Sequence, residues 1–335
     1  AHPQLQRSAF ADFLSSWILE CLDFFGYNTS ESVADLDALR IHLGAEKIDL
    51  WGISYGSHLA LAALQQIDDH LGRVVITAVE GLDQTVKQPV RGDQYFDRLQ
   101  DAINTDPAAK AKYPDVKAMI ARVLNQLDAA PLALEIPMTD TEPVPYLLQK
   151  RDMQQFTAAL VMDPVRVVWI LDAYKGLDDG DSSTMIALLQ RAIDPSDTSV
   201  TFRPMTYLMD VASGSGPERR AMIEAQAKTA LLGPHMNFSL HLETVDPSLD
   251  LGDTFRTPPI SDVPTLVLSG TLDGRTYPES GQEATAGLAQ RQTVIVKNGG
   301  HNLFMLSPEV TETIQQFMRG EAVHGREILI DLPEF

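Results

Sequence analysis

Apolar positions change their period several times within the first eighty residues. Residues 5 to 25, LQRSAFADFLSSWILECLDFF, repeat apolar side chains at helical spacing and predict a helix that Gly26 ends. TSESVADLDALRIHLG predicts a second helix, with Thr29 or Ser30 as cap and Val33, Leu36, Leu39 and Leu43 along one face before Gly44. KIDLWGIS then reads as a short buried strand, GSHLALAALQQIDDHLG returns to helical spacing, and RVVITAVEG is another apolar strand. Strand, sharp turn, helix and strand in that order predict a parallel sheet with helices on its faces.

The alternation then stops. From about Gln84 to Phe255 the segments are helix-like, among them PDVKAMIARVLNQLDA, QQFTAALVMDPVRVVWILDAY, STMIALLQRAI and ERRAMIEAQAKTALLG, with few strand candidates between them. DVPTLVLSG and QTVIVKN resume the strands, QEATAGLAQ and PEVTETIQQFMRG the helices, and the tail EAVHGREILIDLPEF reads as an arm packed on the body. This makes four sheet strands. A long helical excursion between strands predicts an inserted cap over the carboxyl edge of the sheet, where ligands of open α/β folds bind. The expected organisation is α/β: a first core part over residues 1–83, a mainly helical cap over 84–255, and a second core part over 256–335.

Chemistry enters at the first strand-to-helix turn. Gly52-Ile53-Ser54-Tyr55-Gly56 matches Gly-x-Ser-x-Gly in the context that the motif requires. There Ser54 takes a strained backbone conformation, side chains larger than hydrogen at Gly52 and Gly56 would collide across the turn, and the helix start offers N–H groups to an oxyanion. In serine hydrolases with such an elbow the acid and then the histidine follow in the chain, each after a strand. Asp273 in LSGTLDGRTYP and His301 in VIVKNGGHNLF fit, 28 residues apart. His58, one turn beyond Ser54, reads as a packing or polar-network histidine, and Asp262 precedes its strand at the wrong end.

Charge narrows the partners. With 26 basic and 46 acidic residues the chain carries a formal −20, which argues against nucleic acid and anionic membranes. No apolar run approaches the roughly 20 residues that cross a bilayer. The single cysteine, Cys21, allows no disulfide within the chain and no cysteine cluster for a metal. No cofactor or metal is expected.

YNTSESVADLDALRIHLGAEKIDLWGISYGSHLALA, together with SDVPTLVLSGTLDGRTYP and the NGGH stretch, resembles the α/β-hydrolase superfamily. Within it, the chain is similar to the proline iminopeptidase and tripeptidyl aminopeptidase group, closely at both ends and loosely across the cap. The resemblance implies Ser54 as nucleophile, Asp273 as orienting acid, His301 as general base and the Tyr55 N–H as an oxyanion donor. It implies hydrolysis, through an acyl-enzyme, of an amide at a peptide amino end or of a small carboxylic ester. Two alternatives are a carboxylesterase without peptidase activity and a ligand-binding relative without turnover.

The sequence departs from that group in two ways. No His-Gly-Gly loop precedes Ser54, and four strands stand where the fold has eight. An N-terminal segment of roughly 100 residues or more is therefore expected outside this sequence, as a truncated part or a separate chain of the same precursor. The second departure is that Trp17, Trp51 and Trp169 form no Trp-x-x-Trp-Glu element; a substrate ammonium could still be met by acids such as Asp152, Asp172, Asp178 or Asp179, which otherwise read as ordinary solvated helix charges. Met205, Tyr207, Met209 and Phe238 are candidates for an acyl pocket.

Overall fold

The computed structural model describes residues 3–19, 23–138, 142–192 and 204–335. Its strands are β1 (Ile48–Ile53), β2 (Leu71–Thr77), β3 (Leu132–Ile136), β4 (Val144–Leu148), β5 (Thr265–Gly270), β6 (Arg291–Lys297) and β7 (Arg326–Leu329). Five of them form one sheet in the order β1-β2-β5-β6-β7, and every pairing is parallel. All their carboxyl ends therefore share one edge. The turns after β1, β5 and β6 meet there, and these carry Ser54, Asp273 and His301.

Period-two alternation decides which side chains face which layer. Val74 and Ile76 of β2 and Val267 of β5 pack with Ala60, Leu61 and Leu64 of the helix that follows Ser54. Val75, Leu266, Leu268 and Val294 face the other way, onto Val310, Ile314 and Phe317 of the helix Pro308–Met318. β5 is buried at all six positions, as expected of a central parallel strand covered on both faces. β1 is an edge strand: among the described residues only β2 pairs with it, and Trp51 is 57% exposed while its ring lies 5.7 Å from Phe304.

The three N-terminal helices are α1 (Pro3–Leu19), α2 (Thr29–His42) and α3 (Tyr55–Gln66). α1 is described over Pro3–Leu19, and Gly26 closes a separate 3-10 turn over Phe24–Gly26. The cap of α2 is neither Thr29 nor Ser30 but Asn28, whose side chain accepts the Glu31 N–H at 3.0 Å. An asparagine one residue upstream meets the same need for an acceptor.

Between β2 and β5 the chain is mainly helical, and it has a buried core of its own around Phe96, Tyr113, Met153, Leu171 and Tyr174. QQFTAALVMDPVRVVWILDAY divides into helices Lys150–Leu160 and Pro164–Asp178, because Asp163 caps the second and Pro164 occupies its first turn. The excursion also contains an antiparallel hairpin, β3 with β4. Each of its strands has five residues; β3 alternates only from Ala133 onward and β4 buries only Leu148, too short and weak a pattern to stand out from the surrounding helices. The short helix expected at QEATAGLAQ lies earlier, at Pro278–Ala284.

The tail corrects the strand count from four to five. Arg326–Leu329 pairs with β6, Val294 to Lys297 running beside Arg326 to Leu329, so the tail joins the sheet before it becomes an arm. Beyond β7 the chain crosses to the excursion, where the Phe335 ring meets Tyr113 edge-on at 6.5 Å. No helix among the described residues is long and apolar enough to cross a membrane.

Phe317 is fully buried, and the Arg73 guanidinium lies 5.4 Å from its ring centre. Phe317→Ala should therefore lower the free energy of unfolding by about 3–5 kcal/mol, measured by denaturant titration. A loss below about 1 kcal/mol would mean that this helix does not hold the sheet.

Candidate active site

Ser54 occupies φ 54°, ψ −121°, in the turn between β1 and α3. A serine with positive φ is strained, and such strain persists where the surroundings fix it. Here the Ser54 N–H donates to the Thr77 carbonyl of β2 at 3.2 Å. The Ser54 carbonyl accepts from the Ser57 N–H at 2.9 Å, the His58 N–H at 3.3 Å and the Ser57 hydroxyl at 2.6 Å. Ser54 stands at the helix N-cap, yet its side chain makes no capping hydrogen bond.

Gly52 is required sterically, because a Cβ there would lie 2.2 Å from the Gly56 carbonyl oxygen. Gly56 is not. A Cβ on Gly56 would meet nothing within 4 Å, so the expected collision comes from one side of the turn only. The N–H groups of Tyr55 and Gly56 open the first turn of α3, where no intrahelical acceptor exists. The Tyr55 hydroxyl bonds Thr29 Oγ1 at 3.1 Å, tying the turn to α2, and burial pushes its pKa up to about 12.

Asp273 follows β5 and is almost fully buried. Its Oδ1 accepts from the N–H groups of Arg275 at 2.8 Å and Thr276 at 3.0 Å; its Oδ2 accepts from the Thr276 hydroxyl at 2.5 Å and faces His301 Nδ1 at 2.9 Å. A carboxylate on Nδ1 leaves Nε2 as the nitrogen that can take a proton. The hydrogen bonds of Ser54 stay within its own turn and β2, and none reaches Asp273 or His301 among the described residues. Structure therefore brings the acid and the histidine into contact, and brings Ser54 to the same sheet edge.

Backbone from the excursion holds both loops. The His301 N–H donates to the Met162 carbonyl at 2.8 Å and the Gly274 N–H to the Val161 carbonyl at 3.0 Å. Glycines allow the approach: a Cβ on Gly274 would lie 2.6 Å from the Val161 oxygen, and one on Gly300 would lie 2.5 Å from Pro164 Cδ.

His58 is fully buried and bonded on both sides, with Nδ1 3.0 Å from the Gly81 carbonyl and Nε2 2.9 Å from Ser213 Oγ. The polar-network reading fits this. Burial, only partly opposed by the charge of Glu80, lowers its pKa below the ordinary imidazole value. Asp262 sits ahead of β5, at the opposite edge from Ser54. The four acids weighed as partners of a substrate ammonium each have a partner within the protein. Asp152 accepts from the Gln149 N–H at the start of its own helix, and Asp172 binds Tyr113 Oη at 2.5 Å and Lys112 at 2.7 Å. Asp178 pairs with Arg122 at 2.6 Å, and Asp179 with Lys175. Of the pocket candidates, Met209 is buried, Met205 is half exposed, Tyr207 packs on Phe10, and the Phe238 side chain lies outside the described residues. Among the described residues no group of His, Cys, Asp and Glu is gathered that could hold a metal ion.

Sequence reasoning missed several partners. Thr276 carries a signal, since a threonine three residues past a turn aspartate can return a hydroxyl to it. The loop after β2 carried none. RVVITAVEG reads as one strand, but β2 ends at Thr77 and Ala78 takes φ 49°. Beyond it, Glu80 and Lys87 form a buried ion pair at 2.5 Å, in which burial pushes the Glu80 pKa up and the Lys87 ammonium more than offsets it.

Residues 10–141 match the sequence profile of the alpha/beta hydrolase fold family, a span that includes the Ser54 turn. The chain has an α/β-hydrolase fold. No curated protein sequence matches it. Solved structures similar to this α/β-hydrolase fold include epoxide hydrolase A from Mycobacterium thermoresistibile, at 18% identity and TM-score 0.38, covering 89% of this chain and 77% of that one. A meta-cleavage product hydrolase from Pseudomonas fluorescens is 12% identical with TM-score 0.37, covering 88% and 73%. A thermophilic esterase from Thermogutta terrifontis is 17% identical with TM-score 0.33, covering 88% and 72%. Values this low transfer neither substrate nor mechanism.

Two outcomes follow for this α/β-hydrolase fold. Gly52→Ala should cost about 1–3 kcal/mol of unfolding free energy, since the added methyl overpacks the turn. Gly56→Ala should be neutral or gain up to about 1 kcal/mol from helix propensity. Equal losses at both sites, measured by urea unfolding, would refute the one-sided reading. Because His58 has a lowered pKa when folded, the unfolded chain binds more protons below about pH 6.5, and stability should fall as pH drops from 7 toward 5. His58→Gln should flatten that slope in unfolding curves taken across the range, and an unchanged slope would assign it to other groups.

Proposed function

We propose that the chain is a serine hydrolase in which Ser54 is the nucleophile, His301 the general base and Asp273 the acid that orients it. The observation that carries this reading is the strained Ser54 turn, with a hydroxyl not used as a cap, at the same sheet edge as a histidine whose Nδ1 faces a buried carboxylate. Ser54 Oγ attacks a carbonyl carbon as His301 Nε2 takes its proton, while Asp273 fixes the tautomer and favours the imidazolium that forms. The Tyr55 N–H, at the positive end of α3, steadies the oxyanion. Collapse of the tetrahedral intermediate expels the alcohol or amine, which receives the proton from His301. Water activated by the same nitrogen then hydrolyses the acyl-enzyme.

The helical excursion is proposed as the cap that shapes the acyl site, and the substrate as an amide at a peptide amino end or a small carboxylic ester. One observation favours a carboxylesterase: the four excursion acids proposed for a substrate ammonium are already held by Arg122, Lys112, Lys175 and a helix start.

Ser54→Ala should reduce kcat/KM by about 10⁴–10⁶-fold with an unchanged thermal transition, and a fluorophosphonate probe should label wild type at Ser54 but leave the variant unlabelled. Retained turnover in Ser54→Ala would refute the assignment. Comparing amino-acyl arylamides with short aryl esters, with and without an N-blocking group, separates the two substrate classes. Hydrolysis of esters alone would set the peptidase reading aside.

A further inference from the structure

Two residues other than glycine hold positive φ side by side at the carboxyl edge, Ser54 at 54° after β1 and Ala78 at 49° after β2. Each such conformation costs about 1–3 kcal/mol and endures only where neighbouring groups over-determine it. One side chain joins the two turns. Ser57 is fully buried in the first turn of α3, its Oγ donates to the Ser54 carbonyl at 2.6 Å, and the same oxygen accepts the Glu80 N–H at 2.9 Å. The Ala78 carbonyl stands farther off, at 3.5 Å. A serine hydroxyl has one proton, so the short contact to Ser54 takes it and the lone pairs serve Glu80.

The loop that Ser57 grips is itself immobilised from behind. The Glu80 carboxylate is paired with buried Lys87, and the Asn237 side-chain amide donates to the Lys87 carbonyl at 2.5 Å. Gln84 Nε2 donates to the Ser280 carbonyl at 3.1 Å, reaching the helix that starts shortly after Asp273. Through these bonds the Ser54 turn is referred to the segment that carries the acid.

We propose that Ser57 is a positioning residue for the reaction assigned to Ser54: its hydroxyl locks the Ser54 turn onto the loop after β2 and so sets where Ser54 Oγ stands relative to His301. The inference rests on Ser54 being the nucleophile. Helix packing alone would be served equally by alanine, which has nearly the same size; locking the turn needs an oxygen that gives and receives a hydrogen bond.

The experiment compares wild type, Ser57→Ala and Ser57→Thr, with the thermal transition confirming that each is folded. The readouts are the second-order rate of fluorophosphonate labelling at Ser54, and kcat and KM on an ester that wild type hydrolyses. Misplacement of a reacting atom by about 1 Å costs about a hundredfold. Ser57→Ala should accordingly label about 10- to 100-fold more slowly, with kcat down by a similar factor and KM within about twofold, and Ser57→Thr should recover most of the labelling rate. If Ser57→Ala does not fold, Ser57→Cys, whose thiol is a weak donor and acceptor, carries the same expectation. A folded Ser57→Ala or Ser57→Cys that labels within about twofold of wild type, or one whose loss lies in KM alone, overturns the proposal. Wild type that fails to label while folded sinks the nucleophile assignment itself, and this inference with it.

Discussion

One backbone conformation organises the carboxyl edge of this sheet. Ser54 can hold φ 54° only because Gly52 has no Cβ to strike the Gly56 carbonyl, and because its own N–H and carbonyl are both bonded. The sharp turn then starts α3 at once, leaving the first N–H groups of the helix without intrahelical partners. It also places Ala60, Leu61 and Leu64 of α3 against Val74 and Ile76. The strain at the turn and the packing of the layer behind it are thus two aspects of one arrangement. A relaxed turn would swing the helix off the sheet.

The second organising feature is polar and buried. Between β2 and the helix Pro89–Ile103, the chain places Glu80, Gln84, Thr85 and Lys87 out of water, each answered by a partner. Replacing such a pair with apolar side chains is often neutral, while removing one member strands a charge at a cost of about 3–5 kcal/mol. A buried pair therefore adds little net stability, but it tolerates few geometries. That intolerance suits a loop bonded to the Ser54 turn on one side and to Ser280 on the other.

Much of this was legible in the chain, for particular reasons. The Ser54 turn declares itself through Gly52 and through the switch from period two to period 3.6, both local properties. Asp273 and His301 could be placed because parallel strands put every following loop at one edge, so that sequence order alone narrows the choice. Ser57 and Met162 act through contacts made in three dimensions, and nothing in their neighbourhoods marks them, whereas Thr276 is marked by its spacing from Asp273. β7 and the hairpin were missed because four or five residues do not establish a period. Gly56 was over-read, since only one partner in the collision across the turn needs to be small. For the excursion acids the sequence shows a charge without showing the Arg122 or Lys112 that pairs with it.

The two carbonyls of Val161 and Met162 give the excursion a fixed side. They hold the Gly274 and His301 N–H groups, and Pro164 packs against Gly300 in a space that only glycine leaves. Prying the excursion off the sheet there would pull the acid and histidine loops apart in the same motion. Residues 161–164 therefore tie the acid loop and the histidine loop to one short stretch of the excursion, so a change of backbone there would be felt by both loops at once.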